Sequence, residues 1–315
     1  MLAAKSIVIE LLSAVIWGTG IGLLMAITAN SFVYLVVIAT EYRTSFNLLE
    51  FQLQGQTHSL SSIFSLLAAA VLISVIRKCL DIKSWEGIAD SIYVAHRENP
   101  KIDTKKGLGS TFASLVVISG GGSVGQYGPL VHFGSTIGLF IKNFFKLKMS
   151  PDIFIGCGVA AAIAAGFNAP LAGILFAHEA ILRHFSLRAI APISIASFSA
   201  SAIGEYFFGN SPALFELSQQ VPPLNEILPI LILLGPAFAI ITVCFMITLR
   251  AANNFAALNE RHKTFLPFIA ALICGSVGVF LPEILGLGIG AINDLIAGNI
   301  SLMKVSMLLI AKISM

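Results

Sequence analysis

The sequence has few charged residues for its length. Of 315 residues, 11% are charged and 57% are hydrophobic, whereas an average soluble protein is roughly 25% charged. A soluble domain of this size needs a charged coat that these residues cannot supply. The net charge of +3 is also too small to indicate a nucleic-acid-binding protein. The composition therefore excludes an ordinary soluble globular protein.

Cysteine is scarce as well. The four cysteines are scattered without metal-ligand spacing, and we interpret them as small packing residues: Cys79, Cys157, Cys244 and Cys274. His178 and Glu179 adjoin, but neighbouring side chains on a helix point in different directions and do not readily share a ligand. No Ser-His or Cys-His spacing indicates a membrane hydrolase or acyltransferase. We therefore predict no metal, no cofactor and no enzymatic activity.

Long apolar stretches are abundant. Four of them have about the 20 residues that a helix needs to cross a bilayer: residues 6–28, 187–208, 228–249 and 265–285. Four shorter ones indicate tilted, broken or re-entrant helices: residues 63–76, 111–120, 155–167 and 302–315. The predicted fold class is an all-α polytopic membrane protein, and the mixture of lengths is typical of channels and transporters.

The basic residues are distributed unevenly. Seven crowd into one polar stretch: Arg77, Lys78, Lys83, Arg97, Lys101, Lys105 and Lys106. Residues 30–62 contain only Arg43, and residues 205–226 contain no Lys or Arg. The positive-inside rule predicts that the basic stretch is cytoplasmic and that the two segments with few basic residues face outward.

The pattern also predicts where helices begin and end. The first helix covers residues 6–33, and a polar outer loop follows it. A short amphipathic helix covers residues 85–96. Another begins at Gly128 or Pro129, and the helix opened by Pro151 breaks at residues 167–170.

A glycine-rich run precedes one of these helix starts. Residues 120–138 read GGGSVGQYGPLVHFGSTIG. A helix N-terminus presents free N–H groups and about half a positive charge, which makes it an anion site. Small residues at this density equally fit a tight helix–helix contact in a membrane. The glycine count alone does not separate the two interpretations.

Two motifs resemble the ClC chloride channel and transporter family. Gly125, Gln126, Tyr127, Gly128 and Pro129 look like the family's G-(K/R)-E-G-P signature. The sequence AAGFNAPLAGILF at residues 164–176, followed by Glu179, resembles its AAAFNAPLAGxLFxxE segment. More weakly, Glu86, Gly87 and Ile88 stand where the family has a G-S-G-I-P turn. The resemblance implies a ClC-like inverted repeat with broken and tilted helices.

The departures from the family pattern affect the expected mechanism. The family's gating glutamate falls on Tyr127, which stays neutral near pH 7 and is expected either to donate a hydrogen bond to an anion or to plug the pathway. The inner proton-transfer glutamate falls on Ala180, so Glu179 is the nearest acid that can substitute. The pore serine falls on Glu86, which would repel anions unless protonated or turned aside. The family's third pore loop would follow Met315.

From this resemblance we expect a chloride channel that conducts passively, without proton coupling. The anion pathway would use Gly125, Gln126, Tyr127, Gly128 and Pro129 together with Glu86, Gly87 and Ile88, and Tyr127 would be the gate. The first repeat would cover residues 1–210 and an incomplete second repeat residues 222–315. Family membership implies a homodimer in the lipid bilayer of the cell (inner) membrane. The alternatives are a truncated, non-conducting relative, favoured by the apolar ending at Met315, and a chloride/proton antiporter.

Overall fold

The computed structural model describes residues 2–46, 49–53, 56–97, 100–209, 223–259 and 264–315. Within these ranges the chain forms twelve α-helices and one two-stranded antiparallel sheet. Four of the helices are long and apolar enough to cross a membrane, at residues 12–45, 61–79, 187–208 and 225–258. The all-α polytopic membrane fold predicted from the sequence is confirmed.

The elements follow one another in this order: α1 Leu2–Ser45, β1 Glu50–Leu53, β2 Gln56–Ser59, α2 Ser61–Cys79, α3 Ile88–Ala95, α4 Thr104–Ser119, α5 Tyr127–Phe144, α6 Pro151–Phe167, α7 Pro170–Phe176, α8 Leu187–Phe208, α9 Leu224–Leu258, α10 Leu266–Phe280, α11 Ile289–Ile296 and α12 Leu302–Ser314. A π-helical segment, Ala177–Leu182, continues α7, and a short 3₁₀ turn, Pro282–Ile284, follows α10.

Several elements differ from the predictions. Helix α1 continues twelve residues beyond the predicted end at Val33, to Ser45. The polar outer loop contains a β-hairpin, in which Glu50 pairs with Ser59 and Phe51 with His58. The predicted amphipathic helix is shorter than expected and begins at Ile88.

The chain divides into two compact units. The first comprises Met1–Tyr42, Val75–Ser119 and Gly125–Pro212, and the second comprises Arg43–Ser74, Gly120–Val124 and Ala213–Met315. The predicted repeat boundary at residues 210–222 lies outside the described residues. The division into repeats therefore stays a prediction.

Helix α6 is the centre of the first unit. Its thirteen consecutive residues from Ile153 to Ala165 are all buried, as expected for a helix that is apolar on every side. Helices α5, α7 and α8 pack around it. The small residues of α6 allow close approach: a Cβ atom on Gly173 of α7 would lie 2.5 Å from the Ala160 carbonyl oxygen.

The predicted break between α6 and α7 is present. Asn168 ends α6 in the left-handed conformation, with φ of 50°, which Asn tolerates better than most residues. Its side-chain Oδ1 accepts a hydrogen bond from the Ser201 hydroxyl at 2.6 Å. Pro170 then begins α7, where its missing N–H costs nothing.

In the second unit, α2 packs against α10. The buried core contains Leu66 and Ala70 of α2, Ala271 of α10, and Ile284 and Leu285. The Ser62 hydroxyl also donates to the Gly275 carbonyl oxygen at 3.2 Å. Helix α9 exposes most of its apolar side chains, a pattern that suits a hydrocarbon environment.

Candidate functional site

The first turn of α5 contains three of the eight predicted pathway residues, Tyr127, Gly128 and Pro129. The helix begins at Tyr127, one residue before the predicted start, and Gln126 is its N-cap. The N–H groups in a first helical turn have no acceptor within the helix. Tyr127 and Gly128 contribute two such groups, whereas Pro129 has none.

Tyr127 packs against the end of α6. Its hydroxyl donates a hydrogen bond to the Gly166 carbonyl oxygen at 3.1 Å. Its ring stacks on Phe167, with the ring centroids 3.6 Å apart. A Cβ atom on Gly166 would lie 2.7 Å from the Tyr127 ring, so glycine is what leaves room for it. In this conformation the hydroxyl is committed to Gly166, and the ring is the part of Tyr127 available to obstruct a pathway.

Gln126, directly before Tyr127, is buried with one unsatisfied polar atom. The side chain is only 2% exposed. Among the described residues, its Oε1 atom has no hydrogen-bond partner. Buried amide groups usually find partners, and an amide can present either its oxygen or its NH₂ group by rotation. The side chain therefore offers an unused polar group beside the first turn of α5.

The glycines of the run at residues 120–138 have different surroundings. A Cβ atom on Gly134 would lie 2.2 Å from the Gly158 carbonyl oxygen, and one on Gly138 would lie 2.0 Å from the Phe154 carbonyl oxygen. These two glycines allow backbone contact between α5 and α6. By contrast, a Cβ atom on Gly125 would meet nothing within 4 Å. The helix-contact interpretation therefore holds for Gly134 and Gly138, and the anion-site interpretation of residues 125–129 stays a prediction.

The segment Glu86 to Ile88 lies beside the start of α5. A Cβ atom on Gly128 would be 3.6 Å from the Ile88 Cδ1 atom, so the structure brings the two predicted pathway segments together. The Gly87 N–H, at the N-terminus of α3, donates to the Asp90 carboxylate at 2.8 Å. A carboxylate therefore already occupies this helix start, which makes α5 the better candidate for an anion site.

The Glu86 carboxylate is turned toward other charged and polar groups. Its Oε1 atom lies 3.3 Å from the Lys106 Nζ atom, and its Oε2 atom lies 3.6 Å from the His132 Nε2 atom. Burial raises the pKa of Glu86, and Lys106 opposes this shift. The side chain thus has a local cation that lessens its repulsion of an anion.

Glu179 and His178 occupy different environments on the π-helical segment. Glu179 is exposed, and no described contact joins it to Glu86 or Tyr127. His178 is fully buried, its Nδ1 atom lies 3.1 Å from the His184 carbonyl oxygen, and its ring stacks on Phe185. His178 is therefore a packed side chain with one hydrogen-bonded nitrogen. Among the described residues, no cluster of His, Cys, Asp and Glu side chains is arranged to hold a metal ion.

Several residues of the site were not identified from the sequence. They are Gly166 and Phe167, which receive the Tyr127 side chain, and Ser91, Lys106 and Ser135, which surround His132 and Glu86. The spacing of His132 and Ser135, one turn apart on α5, was the available signal for part of the second group.

Comparison with known proteins agrees with this architecture. The family model described as "Voltage gated chloride channel" matches residues 65–315. The H(+)/Cl(-) exchange transporter ClcA of Vibrio parahaemolyticus is 28% identical over 211 residues, which cover 64% of this chain and 45% of the relative. ClcA of Yersinia pestis bv. Antiqua is 31% identical over 217 residues, which cover 66% of this chain and 43% of the relative. The chain thus spans less than half the length of these curated relatives.

Two solved structures have the same fold. A CLC-type fluoride/proton antiporter superposes with a TM-score of 0.76 at 21% identity, covering 97% of this chain and 76% of that structure. A slow cyanobacterial Cl-/H+ antiporter superposes with a TM-score of 0.75 at 19% identity, covering 96% of this chain and 72% of that structure. At these identities the likeness shows the fold alone.

Proposed function

The chain belongs to the voltage-gated chloride channel family, and from this premise we propose that it conducts chloride or a similar small anion passively across the membrane. The observation that carries the proposal is Tyr127, an uncharged side chain at the first helical position of α5. A carboxylate at that position would compete with an anion for the same N–H groups. The phenol hydroxyl instead uses its hydrogen on the Gly166 carbonyl oxygen.

The proposed pathway runs past the first turn of α5. Tyr127 and Gly128 supply unpaired N–H groups, and the helix dipole adds a partial positive charge. Gln126 adds a buried side chain whose Oε1 atom has no partner among the described residues, and rotation of the amide would present its NH₂ group instead. Partial charges of this kind attract an anion without holding it as firmly as a fixed lysine would, and conduction requires binding that is weak enough to release. Gly125, Pro129, Glu86, Gly87 and Ile88 complete the proposed pathway.

The absence of proton coupling follows from two positions. By the family resemblance, exchange uses two titrating carboxylates along the proton route. Tyr127 and Ala180 stand at these positions and do not titrate near neutral pH. Glu179 is the nearest acid to the second position and remains a proposed substitute.

Proton-coupled exchange is the second candidate. The curated relatives in Vibrio and Yersinia are described as H(+)/Cl(-) exchange transporters, and Glu86 and His132 form a titratable pair beside the pathway. A non-conducting relative, which keeps the α6–α7 packing without a pore, is the third. We further propose a homodimer located in the cell (inner) membrane.

A liposome assay separates the three candidates. The purified chain is reconstituted in vesicles loaded with potassium chloride, and valinomycin starts the chloride efflux, which an electrode records while a dye reports the internal pH. We expect chloride efflux with no stoichiometric proton movement. Proton uptake in fixed ratio to chloride would establish exchange instead. Vesicles no leakier than empty ones would favour the non-conducting relative.

A further inference from the structure

A buried polar cluster joins α3 and α5 in the first unit. Ser91, His132 and Ser135 are each 0% exposed. The Ser91 Oγ atom lies 2.8 Å from the His132 Nδ1 atom and 2.6 Å from the Ser135 Oγ atom. The Ser135 hydroxyl donates to the His132 carbonyl oxygen at 2.7 Å. A helix core normally excludes such groups unless all of them are hydrogen-bonded.

The hydrogen atoms of this cluster can be counted. If Ser135 donates to the His132 carbonyl oxygen, Ser91 must donate to Ser135, because each hydroxyl has one hydrogen. The Ser91 oxygen then accepts from the His132 Nδ1–H group. In a neutral imidazole this leaves the Nε2 atom with a lone pair. That lone pair would face the Glu86 Oε2 atom, a second acceptor, at 3.6 Å.

The opposite tautomer leaves a different contact unsatisfied. With the hydrogen on Nε2, Ser91 must donate to Nδ1, and Ser135 has one hydrogen for two acceptors. The protonated imidazole satisfies every contact, because Nδ1–H donates to Ser91 and Nε2–H points toward Glu86. Among the described residues, Nε2 has no hydrogen-bond partner at present. Only the protonated imidazole therefore places a hydrogen atom in each of these contacts.

The charges around this pair partly oppose one another. Burial of His132 disfavours the imidazolium, whereas the Glu86 carboxylate favours it. Lys106 of α4 contacts Glu86, and Asp90 of α3 and Asp103 act on Glu86 through space. The Gly87 backbone also faces the imidazole.

Helix α6, which also packs against α5, adds no charge to the pair. Its one charged side chain is Asp152, which pairs with His184 at 3.6 Å. Its one other titratable group is the buried Cys157 thiol. The affinity of the pair for a proton therefore depends on burial, on Lys106, which opposes proton binding, and on Asp90 and Asp103, which favour it.

We propose that His132 and Glu86 together form a proton-binding site and that anion conduction depends on its occupancy. This inference rests on the proposed function. A bound proton changes the charge of the pair from −1 to 0. Because Ile88 links this segment to Gly128 at the start of α5, neutralisation removes a repulsive charge beside the pathway. Anion flux then increases as the pH falls.

Proton binding is tested directly by NMR. The chain is labelled with ring-¹³C histidine in detergent micelles, and the His132 signal is assigned as the one missing from His132→Asn, which keeps a donor toward Ser91. We expect this signal to titrate, with burial lowering its pKa below the ordinary value of a histidine. Glu86→Gln should lower its midpoint by roughly one pH unit, and Lys106→Gln should raise it. The exposed His96 signal should not respond to either change.

The dependence of anion conduction on this bound proton is tested by measuring chloride flux at two pH values. In liposomes, flux at about pH 5 should exceed flux at about pH 8 by roughly fivefold, and the ratio should fall to about one in Glu86→Gln and in His132→Asn. His96→Asn should keep the full ratio.

A His132 signal that does not titrate, or a titration midpoint that neither Glu86→Gln nor Lys106→Gln changes, would overturn the proton site. A flux ratio equal to that of the native chain in both site variants would overturn its link to conduction. If no chloride flux is found at any pH, the conduction half of the inference fails with the proposed function, while the NMR titration still decides the proton site.

Discussion

Tyr127 shows how one substitution in a known motif changes what a helix start can do. An acid at this position would carry charge and a transferable proton. The phenol carries neither near neutral pH, and its hydroxyl is already bonded to Gly166. What remains is a flat ring stacked on Phe167. Any gating by Tyr127 therefore depends on movement of the ring and not on titration.

This distinction leads to a prediction for two variants. Tyr127→Ala removes the ring and should raise chloride flux in liposomes by roughly tenfold, the effect of a barrier lowered by about 1.4 kcal/mol. Tyr127→Phe keeps the ring and loses one hydrogen bond, so it should change flux little and cost about 1 kcal/mol of stability. Tyr206→Ala, at an exposed position in α8, is the matched control. Equal flux in Tyr127→Ala and the native chain would show that the ring obstructs nothing.

The residue types at the site could be identified from the sequence, whereas their contacts could not. The neutral side chain at Tyr127 could be recognised from the motif alone. Its partner Gly166 lies 39 positions along the chain, and only the packing of α5 on α6 brings the two together. The same holds for Glu86 and His132, which come within 3.6 Å of each other where α3 packs on α5.

At the scale of elements, α5 and α6 are held together by backbone contact. Cβ atoms on Gly134 and Gly158 would each come within 2.2 Å of the opposite carbonyl oxygen, at 2.2 Å and 1.8 Å. Such distances leave no room for a methyl group. The contact positions the 18-residue α5 against α6.

We therefore predict that Gly134→Ala and Gly158→Ala destabilise the fold strongly, by roughly 3 kcal/mol each, because the helices must separate to admit the new atom. The measurement is thermal unfolding in detergent micelles. Gly20→Ala is the matched control, since this α1 glycine has nothing within 4 Å of an added Cβ atom; it should be neutral or slightly stabilising. Melting temperatures unchanged in both α5–α6 variants would contradict the described contact.

Helix boundaries were predictable where the chain carries a local signal and not elsewhere. Pro151, Asn168 and Pro170 mark the ends of α6 and the start of α7, and the structure follows them. Residues 34–45 are more polar, which suggested a loop, but they contain no Gly or Pro to end a helix. Polarity alone does not stop α1, which continues to Ser45. The hairpin at residues 50–59 was missed because its four-residue strands are too short to give a clear alternation.

At the scale of the whole molecule, α2 connects the hairpin to the start of the basic stretch along the chain. The helix has 19 residues, a length of about 28 Å, which is close to the hydrocarbon thickness of a bilayer. The hairpin precedes its first residue, and Arg77 and Lys78 lie in its last turn. If α2 spans the membrane, these two segments lie on opposite sides.

The positive-inside rule then predicts the orientation, with the hairpin outside and Cys79 inside. Cys79 is exposed, and Thr57→Cys places a thiol on the exposed surface of β2. In a background carrying Cys244→Ala and Cys274→Ala, with the buried Cys157 retained, a membrane-impermeant maleimide should label position 57 in intact cells. It should label Cys79 only after permeabilisation, and Cys79→Ala should abolish that second signal. Labelling of Cys79 in intact cells, with position 57 protected, would reverse the orientation, because a single span of α2 cannot place both thiols on the same side.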